Sequence, residues 1–311
     1  MRIAVVGVGG VGGYFGGRLA QAGEDVVFIA RSEHLRAIQT QGLRVESIKG
    51  NFIIQPAQAT DDPTSVGVVD VVLVGVKAWQ VPEVAKQIQP MVGPETIVVP
   101  LENGVEAPDQ LAAVLGKQHV LGGLCRIVSF ISGPGQIRHA GMEPYVAFGE
   151  LGNHSSERAE RLRQAFERSG VRAEIPANIQ VALWEKFLFI VSISGVGAVT
   201  RAPAGVIRSL PQTRHMLEQA IREALAVGQA RGTPLAEETA AGIMALIDGA
   251  AADSTASMQR DIMNGRPSEL EYQTGTLVRL GQEAGVATPV HSFIYQSLLP
   301  QERRARGEVQ F

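Results

Sequence analysis

The hydrophobic pattern of this chain changes period once, near residue 176. Before that point, short solid apolar runs of strand length recur at residues 2–6, Asp25–Ala30, Val68–Val76 and Thr96–Leu101. Helical patterns over Tyr14–Ala22, Val81–Ile88 and Pro108–Leu115 alternate with them. A solid apolar run is the signature of a strand buried on both faces, and the βαβ rhythm predicts a parallel sheet between two helical layers. Two longer runs, Val120–Ser132 and Gly135–Phe148, meet at the turn Ser132-Gly133-Pro134-Gly135. They predict an antiparallel pair that closes the sheet. A helix over Arg158–Ser169 and a strand over Val171–Ile175 complete this half.

From Ala177 onward the strand signature stops, and helical patterns occupy 178–193, 211–231, 235–248 and 267–284. Pro211, Pro234 and Pro267 stand near helix starts, where a missing N–H costs little. The charged tail Gln301–Phe311 is predicted to fray. The expected domains are 1–176, α/β, and 177–311, all-helical. The longest apolar stretch, Phe187–Val199, is interrupted by Ser192, Ser194, Gly195 and Gly197, so no membrane span is expected.

The turn after the first strand carries the most specific chemistry. It reads Gly7-Val8-Gly9-Gly10-Val11-Gly12, a G-x-G-x-x-G between a strand and a helix. In that context Gly7 permits the tight turn, Gly9 lets backbone approach a pyrophosphate, and Gly12 lets helix and strand pack closely. The amides from Gly10, Val11 and Gly12 then face the anion, helped by the helix dipole. The first domain is therefore read as a Rossmann-type dinucleotide-binding domain. At the tip of the second strand an NAD site usually places an acid for the ribose 2′-hydroxyl. This chain has Ala30-Arg31-Ser32 instead. A guanidinium binds a 2′-phosphate with two hydrogen bonds, whereas a carboxylate repels it, so Arg31 points to NADP.

Composition narrows the field further. Among 311 residues, 28 basic side chains stand against 31 acidic ones, which gives no electrostatic case for nucleic acid or an anionic membrane. Cys125 is the only cysteine, so no intrachain disulfide or cysteine metal cluster exists, and a cytoplasmic location is expected. The six histidines show no metal-ligand spacing, and no nucleophile elbow appears.

A nicotinamide enzyme that reduces a carbonyl also needs a proton donor and a grip on its substrate. Lys186, in Leu183-Trp184-Glu185-Lys186-Phe187, lies just past the expected boundary, where the two domains should form a cleft. Apolar neighbours lower a lysine pKa and favour proton transfer near neutrality. Spacing alone equally fits a surface lysine whose stem covers apolar area. Glu269, in Pro267-Ser268-Glu269-Leu270, also fits ordinary helix-start chemistry. Asn103-Gly104 and Lys77 with Gln80 follow strands in the sheet, at positions that line a cofactor crevice or form plain turns.

Together these segments resemble the ketopantoate reductase family. The resemblance rests on the glycine motif with Arg31, on Val76-Lys77-Ala78-Trp79-Gln80 and on Leu101-Glu102-Asn103-Gly104-Val105. It continues in Trp184-Glu185-Lys186, in Ser257-Met258-Gln259-Arg260-Asp261 and in Gly265-Arg266-Pro267-Ser268-Glu269. It implies NADPH as donor and reduction of a 2-oxo acid to a 2-hydroxy acid, by default 2-dehydropantoate to pantoate in pantothenate biosynthesis. It implies Lys186 as general acid, Glu269 in substrate binding and catalysis, and Asn103, Ser194 and Ser257 as substrate contacts. The sequence departs from the family at Ile190, Ser194 and Ala204, where the family carries Asn. Apolar replacements relax discrimination by hydrogen bonding. Three alternatives stay open: a more apolar 2-oxo acid, oxidation of a hydroxy acid, or a non-catalytic NADP(H)-binding regulator. The helical half can offer an apolar face to a twin, as in a homodimer.

Overall fold

The apolar runs of the first half build a sheet buried on both faces. A computed structural model describes residues 1–311, and the chain divides into two units, Met1–Gln180 and Val181–Phe311. The first unit contains, in order, β1 (Arg2–Val6), α1 (Gly10–Gln21), β2 (Asp25–Ile29), α2 (Ser32–Gln41), β3 (Leu43–Ser47), β4 (Phe52–Ile54) and β5 (Gln58–Thr60). It continues through β6 (Val69–Val74), α3 (Val81–Gln87), β7 (Val92–Pro100), α4 (Ala107–Leu115), β8 (Leu121–Gly133), β9 (Gln136–Glu150), α5 (Glu157–Arg168) and β10 (Arg172–Glu174).

Strands β5-β2-β1-β6-β7 form an all-parallel sheet in that order. Alternation along β1 divides the core: Ile3 and Val5 join one buried cluster, Ala4 and Val6 the other. The strand order reverses across β1 and β6, the position where sheets of this topology bind ligands beyond their carboxyl ends.

The antiparallel pair is present, but it does not close the parallel sheet. β8 pairs with β9 in a second sheet of order β10-β9-β3-β4. Its link to the first sheet is the bridge Val98–Val120. The reason lies in α1, whose small residues face this second layer. A Cβ on Gly13 would sit 2.7 Å from Ile137 Cγ1 of β9, and one on Gly17 3.1 Å from Phe52 Cε2 of β4. The glycine face of α1 needs that cover to bury it.

The second unit is helical: α6 (Ile179–Thr200), which begins in the first unit, then α7 (Ala204–Ser209), α8 (Pro211–Ala230), α9 (Thr239–Asp248), α10 (Ser257–Met263), α11 (Thr276–Ala284) and α12 (Pro289–Ala305). Two expectations are corrected here, and a third is qualified as to length. The helix expected to start at Pro267 starts only at the π turn Glu271–Gly275, which runs directly into α11. Of the tail expected to fray from Gln301, residues 301–305 belong instead to α12, where Glu302 is only 4% exposed and ion-paired with Arg306. Finally, α6 has 22 residues and is long and apolar enough to cross a membrane by length and composition, since serines and glycines do not break a helix as they break an apolar run. Its most apolar window is 67% buried inside the protein, as in the central helix of a globular core.

Candidate active site

The four glycines of the first turn meet four different surroundings. Gly7 has φ +88°, and a Cβ there would lie 2.6 Å from Val76 Cγ1 and 2.9 Å from Gly75 carbonyl atoms. A Cβ on Gly12 would lie 2.1 Å from the Gly7 oxygen, so helix and strand touch through backbone. Gly9, the N-cap of α1, has nothing within 4 Å of where its Cβ would stand. No side chain caps this helix start, and its first turn holds no acid. Its first amides therefore lack an intrahelical partner and carry the positive end of the helix dipole. Open space before Gly9 and a close contact behind Gly12 together fit a dinucleotide pyrophosphate. Val11, half-buried, packs against the core beneath. On the other side, a Cβ on Gly10 would lie 2.2 Å from the Ser129 oxygen, so β8 runs directly against the loop.

The loops after β6 and β7 are tied to this turn. Gly75 packs against Gly12 backbone, with its Cβ position 3.1 Å from the Gly12 nitrogen. The Val76 amide donates to Glu102 Oε1 at 3.2 Å, which couples the loop carrying Lys77 to the loop carrying Asn103. Glu102 is only 7% exposed, and sequence reasoning gave it no role. An acid placed directly after a buried strand was the available signal. Lys77 is exposed, with Nζ 5.8 Å from the Trp79 ring centroid. Gln80 Oε1 accepts the Lys77 amide at 3.1 Å, closing the short turn between them. Asn103 is half-buried, next to Gly104 at φ +119°.

Arg31 is the exposed N-cap of α2, and its guanidinium donates to Gln87 Oε1 at 3.1 Å. Ser32 beside it holds φ +55°, an uncommon conformation for a residue with a side chain. Arg31, Ser32 and His34 line one wall of a cavity of about 480 Å³, opposite the β8–β9 hairpin tip at Ile131–Pro134. The Gly135 amide donates to His34 Nδ1 at 3.0 Å. Burial holds the His34 pKa below its ordinary value, partly offset by a hydrogen bond to the Val8 backbone.

In the second unit, Lys186 is half-buried on α6 beside Leu183, Trp184 and Phe187, which are 5%, 6% and 0% exposed. Ile190 and Ser194 follow at four-residue steps, hence on the same helix face. Ser194 is wholly buried, and its hydroxyl has no partner. Ser257 opens α10, which Gln259 fastens to the end of α6. Gln259 Nε2 donates to the Ala202 oxygen at 2.9 Å, and its Oε1 would lie 2.5 Å from a Cβ on Gly197. Ala204 is buried, and its amide donates to the Ser254 oxygen at 3.0 Å.

Glu269 is 5% exposed and stands just before the π turn, a feature frequent at functional sites. Its Oε2 accepts from Gln273 Nε2 at 3.3 Å, while the buried Gln273 Oε1 has no partner. Sequence reasoning missed Gln273, Ser268 and Glu302. Ser268 stood in the Pro267-Ser268-Glu269 segment but without a role of its own, no local motif marks Gln273, and Glu302 lay in the segment expected to fray.

Two family models match the chain, "Ketopantoate reductase PanE/ApbA" over residues 3–153 and its C-terminal counterpart over 178–302. The "uncharacterized oxidoreductase YkpB" of Bacillus subtilis is 33% identical over 300 residues, covering 96% of this chain and 98% of that protein. A 2-dehydropantoate 2-reductase of Nostoc is 28% identical over 304 residues, covering 96% and 94%. Among solved structures, a PanE/ApbA family ketopantoate reductase from Ralstonia eutropha superposes with TM-score 0.89 at 28% identity, covering 98% of this chain and 100% of that one. A D-mandelate dehydrogenase solved with NADH and anilino(oxo)acetate shares the fold, with TM-score 0.89 at 24% identity and coverage of 98% and 99%.

Proposed function

This chain belongs to the ketopantoate reductase family of NADPH-dependent oxidoreductases acting on CH–OH groups, and we propose that it reduces 2-dehydropantoate to pantoate. The observation that carries the reading is the uncapped start of α1 behind the open space at Gly9, in a chain whose second unit holds a half-buried lysine and a buried glutamate. NADPH, when bound, supplies the hydride.

The roles of the protein's own residues follow from their chemistry. The Gly10–Gly12 amides hold the pyrophosphate, and Arg31 pairs with the 2′-phosphate. Lys77, Gln80 and Asn103 bind the remaining polar groups of the cofactor, with Asn103 also reaching the substrate. Lys186 gives its proton to the carbonyl oxygen as the carbon accepts hydride, so one C=O becomes one CH–OH. A positioned ammonium is a competent general acid for that transfer. Glu269 orients the substrate, with Ser257 and Ser194 completing its polar contacts.

Ile190 and Ala204 favour a second substrate of the same class, a more apolar 2-oxo acid, because neither side chain can hydrogen-bond a substrate hydroxyl. A screen of 2-oxo acids with NADPH, followed by cofactor absorbance, tests both readings. Turnover of 2-dehydropantoate that Lys186→Ala abolishes, with NADPH affinity unchanged, is expected. Turnover only of apolar 2-oxo acids selects the second substrate. Activity that survives Lys186→Ala refutes the assigned proton donor.

A further inference from the structure

Near the chain's C-terminal end, the Glu302 carboxylate of α12 is 4% exposed and accepts bonds from two residues. The Ser268 amide donates to both of its oxygens at 3.1 Å, and Ser268 Oγ donates to Oε2 at 2.5 Å. Arg306 Nε donates to Oε1 at 2.7 Å, and Arg306 also donates to the Ser268 carbonyl at 2.9 Å. Ser268 Oγ in turn accepts the Leu270 amide at 3.2 Å. Ser268 is wholly buried, and its amide, carbonyl and hydroxyl are each bound. Glu269 follows immediately, and its own backbone carbonyl accepts the Gln273 amide at 2.9 Å.

We propose that Glu302 is a positioning residue for Glu269, which it serves by fixing the backbone of Ser268. This rests on the reading of Glu269 as a substrate-binding and catalytic side chain. Burying a carboxylate costs several kcal/mol of desolvation, and an ion pair regains little over an apolar contact of the same size. An ion pair that only docked α12 needed no particular partner. Here both members converge on the backbone of one residue, the one before Glu269. The consequence is directional: the Ser268 peptide has one orientation, so the Cα–Cβ vector of Glu269 has one as well. Misplacing a positioned group by about 1 Å costs on the order of 10²-fold in rate.

The test uses the full chain and the 2-oxo acid it reduces fastest. Glu302→Ala and Glu302→Gln are compared with wild type for melting temperature, NADPH Kd, kcat and KM, each alone and combined with Glu269→Gln. Arg306→Lys serves as the milder variant if Glu302→Ala fails to fold. The expected result is an unchanged NADPH Kd, a fall of roughly 10- to 100-fold in kcat/KM, and no further fall when Glu269 is already substituted. An equal loss in both backgrounds, or wild-type kcat/KM in the Glu302 variants beside a crippled Glu269→Gln, overturns the proposal and leaves α12 docking as the role. If Glu269→Gln alone is fully active, the reading of Glu269 is what fails, and the positioning role falls with it.

Discussion

Two glycines three residues apart should fail in opposite ways when each becomes alanine. At Gly12 the new methyl would stand 2.1 Å from the Gly7 oxygen and 3.0 Å from Val5 Cγ1. The nearer neighbour is backbone of the same turn and cannot rotate away. Overpacking of this kind costs about 1–3 kcal/mol. For a unit of this size, that lowers the melting temperature by roughly 2–12 °C. At Gly9 nothing lies within 4 Å, and the backbone at φ −81°, ψ −161° suits any residue. Alanine loses some N-cap preference there, on the order of 0.5–1 kcal/mol, and regains about 0.4–1 kcal/mol through the less flexible unfolded chain. The melting temperature of Gly9→Ala should stay within about 2 °C of wild type. Its methyl instead enters the space through which the pyrophosphate approaches. The same overpacking of about 1–3 kcal/mol then weakens NADPH by roughly 5- to 150-fold. Melts without cofactor and NADPH fluorescence titrations separate the two effects, since bound ligand would itself raise the melting temperature. A Gly9→Ala protein that binds NADPH like wild type, or a Gly12→Ala protein that melts like wild type, refutes the assignment of these glycines.

Removing the Arg31 guanidinium should discriminate between cofactors. Arg31→Ala is expected to weaken NADPH by roughly 10- to 150-fold, the worth of a charged hydrogen bond at about 1.5–3 kcal/mol, and to leave NADH nearly unchanged. Equal loss for both in parallel titrations would show that Arg31 does not read the 2′-phosphate. His34 gives a pH signature. Burial, only partly countered by the Val8 backbone, holds its folded-state pKa below 6.5, so on acidification the unfolded chain takes up the proton first. The stability that neutral His34 provides is full above pH 6.5, is lost as pH falls from there through the folded-state pKa, and then levels off. A protonated Nδ1 also ceases to accept the Gly135 amide. Melting temperatures against pH should show this slope in wild type and a flatter one in His34→Gln; identical slopes would contradict it.

The parallel sheet and its glycine turn were legible because their signals are local. An apolar run, three glycines and the next helix fall within about twenty residues, and backbone geometry alone gives each glycine its place. Of the second sheet only the β8–β9 pair and the β10 strand were legible, not the sheet they form. β4 has three residues, too few for a periodic signal, and β9 takes β3 as a parallel partner from a distant part of the chain. Helix α12 escaped notice because its end is charged, and charge is read as exposure. Glu302 is buried only because Arg306 and Ser268 satisfy it, which depends on a contact 34 residues away in sequence. The candidate site divides in the same way. Its cofactor half follows from motif context, whereas the surroundings of Glu269 depend on the π turn and on α12.

The second sheet also sets when the nucleotide-binding unit can mature during synthesis. By the end of β7 the ribosome has released every strand of the parallel sheet together with the glycine turn. Helix α1 is covered only in part at that moment: Phe52 of β4 can reach Gly17, but Gly13 waits for Ile137 of β9, where β3 also finds its partner about ninety residues further along, and such non-local pairing is slow. A nascent chain stopped after β7 therefore exposes part of the small-residue face of α1 and an unpaired β3 edge, both open to misassembly. The second sheet is complete only once β10 has been made, well beyond the last strand of the parallel sheet.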